Sequence, residues 1–82
     1  MNFTPLTLAY ISEWSRENDI FVDVSMVFEG PSYMYLVFRF TQPSTAKVWN
    51  RRYDKAFFDE HSSLKIHDLV TMTLHEAKKY FS

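Results

Sequence analysis

Three histidines are the residues of this 82-residue chain that could most readily hold a metal ion or act as a general base. His67 and His75 are eight residues apart. On one helix they would lie about 12 Å apart along the axis, which is too far to share a metal ion. His61 belongs to no HExxH motif or histidine-rich tract, and the chain has no cysteine. We therefore expect no metal site, no other cofactor and no disulfide.

The carboxylates also have simpler explanations than catalysis. Asp59, Glu60 and Asp68 lie near the start of a predicted C-terminal helix, where the helix dipole favours negative charge. Glu13 and Glu17 are four residues apart and of like charge, which is typical of a solvated helix face. Nucleophile elbows, phosphate-binding loops and dinucleotide fingerprints all need several glycines, and this chain has one. We therefore expect a protein that is not an enzyme.

The distribution of charge and aromatic rings carries more information. Residues 1–32 carry a net charge of −4, residues 33–58 one of +4 and residues 59–82 one of −1. Aromatic residues, 18% of the chain, are interleaved with the cations of the middle segment. A surface of arginine and aromatic residues can bind a protein or a nucleic acid. The cations could also simply balance the acidic first segment. Because the whole chain is nearly neutral, nucleic acid ranks below protein as a partner.

Two helices are predicted, one near each end of the chain. Thr4-Pro5 is typical of a helix start, because threonine caps free amides and proline suits the first helical position. This helix is expected over residues 5–17. Its core-facing side chains, at helical spacing, are Leu6, Ala9, Tyr10 and Trp14. A second amphipathic helix is expected over residues 64–81, capped by Ser62 or Ser63.

A β-hairpin is predicted over residues 20–41, because apolar and polar residues alternate on both sides of Gly30-Pro31-Ser32. A three-residue loop would pair Glu29 with Tyr33, Val27 with Tyr35, Ser25 with Val37 and Asp23 with Arg39. The opposite charges of the last pair support this register. The even-numbered residues of both strands form one apolar face, which should meet the helices.

A third strand is predicted over residues 47–57, after a turn at Gln42-Pro43-Ser44. One side of this strand carries Lys47, Trp49, Arg51 and Tyr53, and the other carries Val48, Asn50 and Arg52. Neither side is cleanly apolar, so its register stays open. A polar connector over residues 58–63 would lead to the last helix. The predicted fold is a single α+β domain, residues 1–82, in the order α-β-β-β-α, with a three-stranded antiparallel sheet and both helices on one face.

The fifteen aromatic rings divide between a core and a surface. The rings expected in the core are Tyr10, Trp14, Phe28, Phe38, Phe40 and Phe81. The helix-free face of the sheet is the predicted protein-binding surface, because rings and cations remain there after the core is filled. Its predicted residues are Phe21, Val27, Tyr33, Tyr35, Val37, Arg39, Trp49, Arg51 and Tyr53.

The order of elements is similar to that of the double-stranded RNA-binding domain. That family has a lysine cluster at the start of its last helix, where this chain has Asp59, Glu60, His61 and Asp68, so its function is not expected here.

A second pattern covers about the last 35 residues. It consists of Arg52-Tyr53-Asp54-Lys55-Ala56-Phe57, Asp59-Glu60, and a helix from Asp68-Leu69 through Leu74-His75-Glu76-Ala77 to Tyr80-Phe81. This pattern resembles short orphan proteins encoded by phages and prophages of Gram-positive bacteria. The resemblance implies an accessory factor that binds host or phage proteins, including inhibitors of host defence enzymes.

The longest apolar run is Tyr33 to Phe38, six residues, whereas about 20 are needed to span a bilayer. No secretory signal is evident either, so we expect a cytoplasmic protein with no membrane partner.

The expected function is stoichiometric binding to another protein. The alternative is weak binding of single-stranded nucleic acid by the same face. That face could also pair with itself in a homodimer.

Overall fold

The structure, a computed structural model, describes residues 3–31 and 34–82. Its elements in chain order are α1 (Pro5–Asn18), β1 (Phe21–Phe28), β2 (Met34–Gln42), β3 (Lys47–Asp54), α2 (Lys55–Glu60) and α3 (Ile66–Phe81). The strands form one antiparallel sheet in the order β1-β2-β3. Helices α1 and α3 pack together against one face of this sheet. The predicted α+β class, strand order and helix placement are confirmed, and α2 is an additional short helix.

The first helix begins and ends as local chemistry dictates. The Thr4 hydroxyl accepts a hydrogen bond from the Thr7 N–H at 3.2 Å, and Pro5 occupies the first helical position. The helix ends one residue later than predicted. Asp19 adopts a left-handed conformation with φ of 52°, and its N–H donates to the Ser15 carbonyl. This closes the last turn before the chain enters β1.

The buried stripe of α1 differs from the predicted one at its first turn. Leu6 is 74% exposed and Ala9 is exposed as well, whereas Thr7 and Ile11 are buried. Thr7 can be buried because its hydroxyl hydrogen-bonds His67 Nδ1 on α3 at 3.1 Å. A polar residue with a partner on the neighbouring helix therefore takes the place that hydrophobicity assigned to leucine.

The hairpin between β1 and β2 has the predicted register. Val27 pairs with Tyr35, Ser25 with Val37 and Asp23 with Arg39, while the predicted partner of Glu29, Tyr33, lies outside the described residues. The even-numbered side chains face the helices as expected. On the central strand β2 three of them, Leu36, Phe38 and Phe40, are fully buried, and Met34 and Gln42 at its two ends are half-buried.

Five of the six predicted core rings are confirmed. Phe38 and Phe40 are buried, and Tyr10, Trp14 and Phe81 are partly buried and pack against the hydrophobic core. The prediction for Phe28 is wrong, because its side chain is 67% exposed. Phe28 is the last residue of β1, which in residues 3–31 and 34–82 has a neighbouring strand on one side only. Phe28 is even-numbered, like the other residues of β1 that face the helices, but it lies at the corner of the sheet, where no helix covers it.

The turn between β2 and β3 reverses the relation between residue number and face. Four residues, 43–46, separate the paired residues Gln42 and Lys47. Directly paired residues share a face, so each even-numbered residue of β2 now lies beside an odd-numbered residue of β3. Trp49 pairs with Phe40, for example. The odd-numbered residues of β3 therefore face the helices.

Strand β3 ends at Asp54, three residues before the predicted end at residue 57. The Asp54 carboxylate accepts a hydrogen bond from the Phe57 N–H at 3.0 Å and caps α2. The predicted connector over residues 58–63 is therefore helical in its first part. The predicted serine cap of the last helix is also wrong, because Lys65 occupies the N-cap position and no side chain caps it.

A buried hydroxyl pair joins β3 to α3. The Tyr53 hydroxyl lies 2.7 Å from Thr73 Oγ1, and the Thr73 hydroxyl also hydrogen-bonds the Leu69 carbonyl at 2.8 Å. A carbonyl only accepts, so the single Thr73 proton goes to Leu69. Tyr53 must then donate its proton to Thr73. Both side chains are almost completely buried, and neither donor has water as an alternative partner.

This proton arrangement predicts that two near-isosteric substitutions differ in cost. Thr73→Val leaves the Tyr53 O–H as a buried donor without its acceptor and should lower the free energy of unfolding by about 2 kcal/mol. Tyr53→Phe removes that donor and leaves the Thr73 donor satisfied, so it should cost about 1 kcal/mol. Urea unfolding measures both, with the exposed Tyr80→Phe as a control expected to change little. A larger cost for Tyr53→Phe than for Thr73→Val would contradict the arrangement.

Candidate protein-binding face

The face of the sheet opposite α1 and α3 has no helix packed on it among the described residues, and we call it the open face. The strand register assigns twelve described side chains to it, four from each strand. They are Phe21, Asp23, Ser25 and Val27 on β1, Tyr35, Val37, Arg39 and Thr41 on β2, and Val48, Asn50, Arg52 and Asp54 on β3.

The structure divides the predicted binding residues between the two faces. Five of them lie together on the open face, namely Phe21, Val27, Tyr35, Val37 and Arg39. The placement of Trp49, Arg51 and Tyr53 on the same face is wrong, because these residues pair with Phe40, Phe38 and Leu36 on the helix-covered face. Tyr33 lies outside the described residues.

The three misplaced residues are part of the packing between the sheet and α3. Trp49 stacks on Tyr80 of α3, with their ring centroids 6.0 Å apart. Tyr53 is buried, as described above, and Arg51 Nε lies 3.7 Å from Glu76 Oε2 of α3. The pKa of Arg51 is raised, first by hydrogen bonding to Tyr53 and also by the negative charge of Glu76, although partial burial acts in the opposite direction.

Val48, Asn50 and Arg52 take the place of these residues on the open face. The sequence offered a signal for the correct faces of β3. Its two large rings, Trp49 and Tyr53, are both odd-numbered and therefore lie on the same side of the strand. Arg51 between them obscured the apolar side of the strand. A count of the turn residues, together with the size of the two rings, would have favoured the observed arrangement.

One end of the open face is a connected polar and aromatic cluster. The Arg52 guanidinium carbon lies 3.9 Å from the centroid of the Tyr35 ring, which is a close cation–π geometry. The Tyr35 hydroxyl donates a hydrogen bond to Glu29 Oε1 at 3.2 Å. Tyr35 is therefore held at both its ring and its hydroxyl. We call Glu29, Tyr35 and Arg52 the tyrosine cluster.

The opposite end of the open face is apolar. Phe21 is 66% exposed, and Thr41 separates it from the exposed Val48 in the same row across the three strands. Val37 is half-buried near the middle of β2. The face thus combines an apolar end with a tyrosine–arginine end.

The charges of the open face cancel. Asp23 and Arg39 are directly paired on β1 and β2, and Arg52 and Asp54 lie on β3. Two other cations of the positive segment act elsewhere, since Arg51 pairs with Glu76 and Lys55 Nζ lies 2.8 Å from Asp59 Oδ2. These two cations balance acids of the C-terminal third, and not the acidic first segment.

The described histidines and carboxylates form no cluster of three or more that could hold a metal ion. His67 joins α3 to α1 through Thr7, and His61 Nδ1 hydrogen-bonds the Phe57 carbonyl at 2.9 Å. Among the described helices none is both long and apolar enough to cross a membrane.

The tyrosine cluster predicts energetic coupling between Tyr35 and Arg52. Tyr35→Leu and Arg52→Met should be non-additive by about 0.5–1 kcal/mol in urea unfolding, because each removes the same cation–π contact. The matched control combines Tyr35→Leu with Arg39→Met. Arg39 is four residues along the same strand, about 13 Å away, so this pair should be additive. Additivity in the Arg52 cycle would contradict the observed geometry.

Comparison of the chain with family models, with curated proteins and with solved structures gave no match in any of the three.

Proposed function

We propose that this chain is a small accessory protein, not an enzyme, that acts by stoichiometric binding of another protein through the open face. The observation that carries the proposal is a sheet face with no helix over it among the described residues, on which exposed apolar, tyrosine and arginine side chains lie together. Tyrosine, phenylalanine and arginine are enriched at protein interfaces, and tyrosine and arginine often dominate their binding energy.

The tyrosine cluster supports this proposal because contacts within the chain already hold the Tyr35 side chain in one position. Tyr35 is fixed by Arg52 at its ring and by Glu29 at its hydroxyl, so it would lose little rotamer freedom when a partner binds. The apolar end around Phe21 would supply the buried area, and the tyrosine cluster would supply directional contacts. This combination of an apolar patch with polar contacts around it is typical of protein interfaces.

The same observations favour protein over single-stranded nucleic acid. A nucleic-acid surface needs an excess of positive charge, but the strand residues of the open face include two acids and two arginines, and Glu29 of the tyrosine cluster adds a third acid. It also needs ring faces on which bases can stack, and the Arg52 guanidinium covers one face of the Tyr35 ring. A partner with both apolar and charged groups fits this surface better than a polyanion does.

The partner would be a host or phage protein, a host defence enzyme included, if the resemblance of the C-terminal residues to short phage and prophage proteins extends to function. Such a modulator acts by occupying a surface of its target. The chain would then need a rigid face of defined shape, and the open face is built on three regular strands.

The proposal predicts that two matched double variants differ in partner capture. The partner is first identified by affinity purification of the tagged chain from its native cells and mass spectrometry, and its affinity is then measured with purified proteins. Tyr35→Ala with Arg39→Ala, both on the open face, should weaken binding at least about tenfold. Arg51→Ala with Tyr80→Ala removes the same two residue types on the helix-covered side and should leave affinity close to that of the unchanged chain.

Circular dichroism and thermal unfolding serve as the fold control for both variants. Equal loss of binding by the two folded variants, or loss by the Arg51/Tyr80 variant alone, would remove the open face as the binding surface. In a separate titration, a fluorescent single-stranded 20-mer should show no anisotropy change at low salt with tens of micromolar protein. Binding that weakens steeply as salt rises would support the nucleic-acid alternative instead.

A further inference from the structure

Strand β1 is an edge of the sheet, and its sequence lacks the features that usually protect an edge. Within the described part of the chain it has a neighbouring strand on one side only, and all eight residues pair one-to-one with β2 without a bulge. It contains no lysine, arginine or proline, and Asp23 is its single charged residue. Long, regular and apolar edges of this kind readily accept another strand.

The other edge of the sheet provides a contrast within the same molecule. Strand β3 carries Lys47, Arg51 and Arg52 and ends at the cap of α2. Charged side chains, lysine above all, are a common protection of edge strands against pairing. The two edges therefore differ in kind, and β1 is the one open to an additional strand.

The core-facing side chains of β1 are also incompletely covered. Val22, Val24 and Met26 are half-buried, whereas their paired neighbours on β2 are fully buried. The helix layer thus leaves apolar surface accessible along this edge. At the two ends of the strand, Phe21 and Phe28 are each about two-thirds exposed. A strand added beside β1 would cover surface that the chain itself leaves in water.

The sequence of β1 is compatible with pairing against a second copy of itself. In a continuous antiparallel sheet, directly paired residues must have the same parity, so that core sides and open sides coincide. A two-fold axis at Val24 meets this requirement and places Val24 opposite its own copy. The other pairs in this register are Phe21 with Val27, Val22 with Met26 and Asp23 with Ser25, which leaves no like charges opposed.

The neighbouring registers are less favourable. An axis at Asp23 would place two carboxylates directly opposite each other, which is destabilising. An axis at Ser25 would place Phe21 opposite Glu29 and Asp23 opposite Val27, so apolar and charged side chains would be mismatched. The register centred on Val24 is therefore the one that the side chains favour.

The same register gives Phe28 a binding site. It places Phe28 of one copy opposite Ile20 of the other, on the side of the sheet that carries the helices. Ile20 lies at the edge of a groove of about 550 Å³ between the end of α1 and the β2–β3 turn. The groove is lined by the apolar residues Ile20, Phe21 and Pro43 and by polar residues that include Arg16 and Asp19. An exposed ring and a groove whose lining is partly apolar would thus meet twice across the two-fold axis.

We infer that β1 pairs antiparallel with β1 of a second copy, centred on Val24, and that each Phe28 enters the groove beside Ile20 of the other copy. The product is a six-stranded sheet, within the usual range of sheet sizes. The four exposed phenylalanines would contribute about 400–700 Å² of apolar surface, before the strand edges are added. The phenylalanine area alone is smaller than the roughly 1,200 Å² at which specific interfaces begin, so the strand edges must add to it and we expect a weak, concentration-dependent dimer. The inference can be tested separately from the proposed function: Phe21 and Val27 of the edge also belong to the open face, but Tyr35 and Arg39 lie on β2, outside the paired edge.

Sedimentation equilibrium of the full chain between about 1 and 100 μM tests the dimer. The unchanged chain, with a mass of 9.8 kDa, should approach twice that mass as concentration rises. Phe28→Ser should weaken the dimer at least about tenfold. The control is Leu6→Ser, which removes an equally exposed apolar side chain from α1 and should leave the dimer unchanged.

Cysteine cross-linking tests the register, because the chain contains no cysteine of its own. Under mild oxidation Val24→Cys should form a covalent dimer, since residues opposite each other on the axis bring their Cβ atoms to about 4.5–5.5 Å. Met72→Cys, which is half-exposed on α3, should not. Cross-linking through Ser25→Cys in place of Val24→Cys would overturn the register.

A monomer at every concentration would overturn self-pairing and leave the edge available to a strand of a different protein. A dimer that neither depends on Phe28 nor cross-links through Val24 would also overturn it, and would place the interface elsewhere. The Tyr35/Arg39 variant should dimerise normally while losing its partner. This result separates failure of the dimer from failure of the proposed function.

Discussion

The four-residue turn between β2 and β3 is the constraint on which the two faces of the sheet depend. The β1–β2 loop preserves residue parity across the sheet, and the β2–β3 turn reverses it. The helices cover the even-numbered side of β1 and β2, so the reversal brings Trp49 and Tyr53 into contact with the core and leaves Arg52 on the open face. With one residue more or fewer in this turn, β3 would present its two large rings to water.

Local rules predicted most of the fold. The Thr4-Pro5 start of α1, the alternation through β1 and β2 and the opposite charges of Asp23 and Arg39 each point to one arrangement, and the structure has it. The departures occur where tertiary contacts outweigh local pattern. Thr7 is buried in place of Leu6 because His67 supplies a hydrogen-bond partner. Asp54 ends β3 early because its carboxylate caps α2.

The candidate site was predictable in part. Five of the nine residues chosen from the sequence lie together on the open face, since hairpin alternation alone assigns them. Alternation could not place Trp49, Arg51 and Tyr53 of β3, because Arg51 interrupts the apolar side of that strand. The sequence pattern also did not determine the length of the β2–β3 turn, which sets the side of β3 that faces the helices. The contact between Arg52 and Tyr35 joins two strands, so it could not be foreseen without the correct register.

The open face and the β1 edge are complementary features, because an edge-paired dimer would place two open faces side by side.

The most direct test of the account is hydroxyl-radical footprinting of the chain, free and in complex with the protein that it captures. Tyr35, on the open face and outside the β1 edge, should lose reactivity in the complex, and so should Phe21 when the comparison is made with the free monomer. Met72 and Tyr80, which are exposed on α3, should keep the reactivity of the free chain. Protection of Met72 and Tyr80 with unchanged reactivity of Phe21 and Tyr35 would show that the chain binds through its helical side, and would contradict the assignment of the open face as the binding surface.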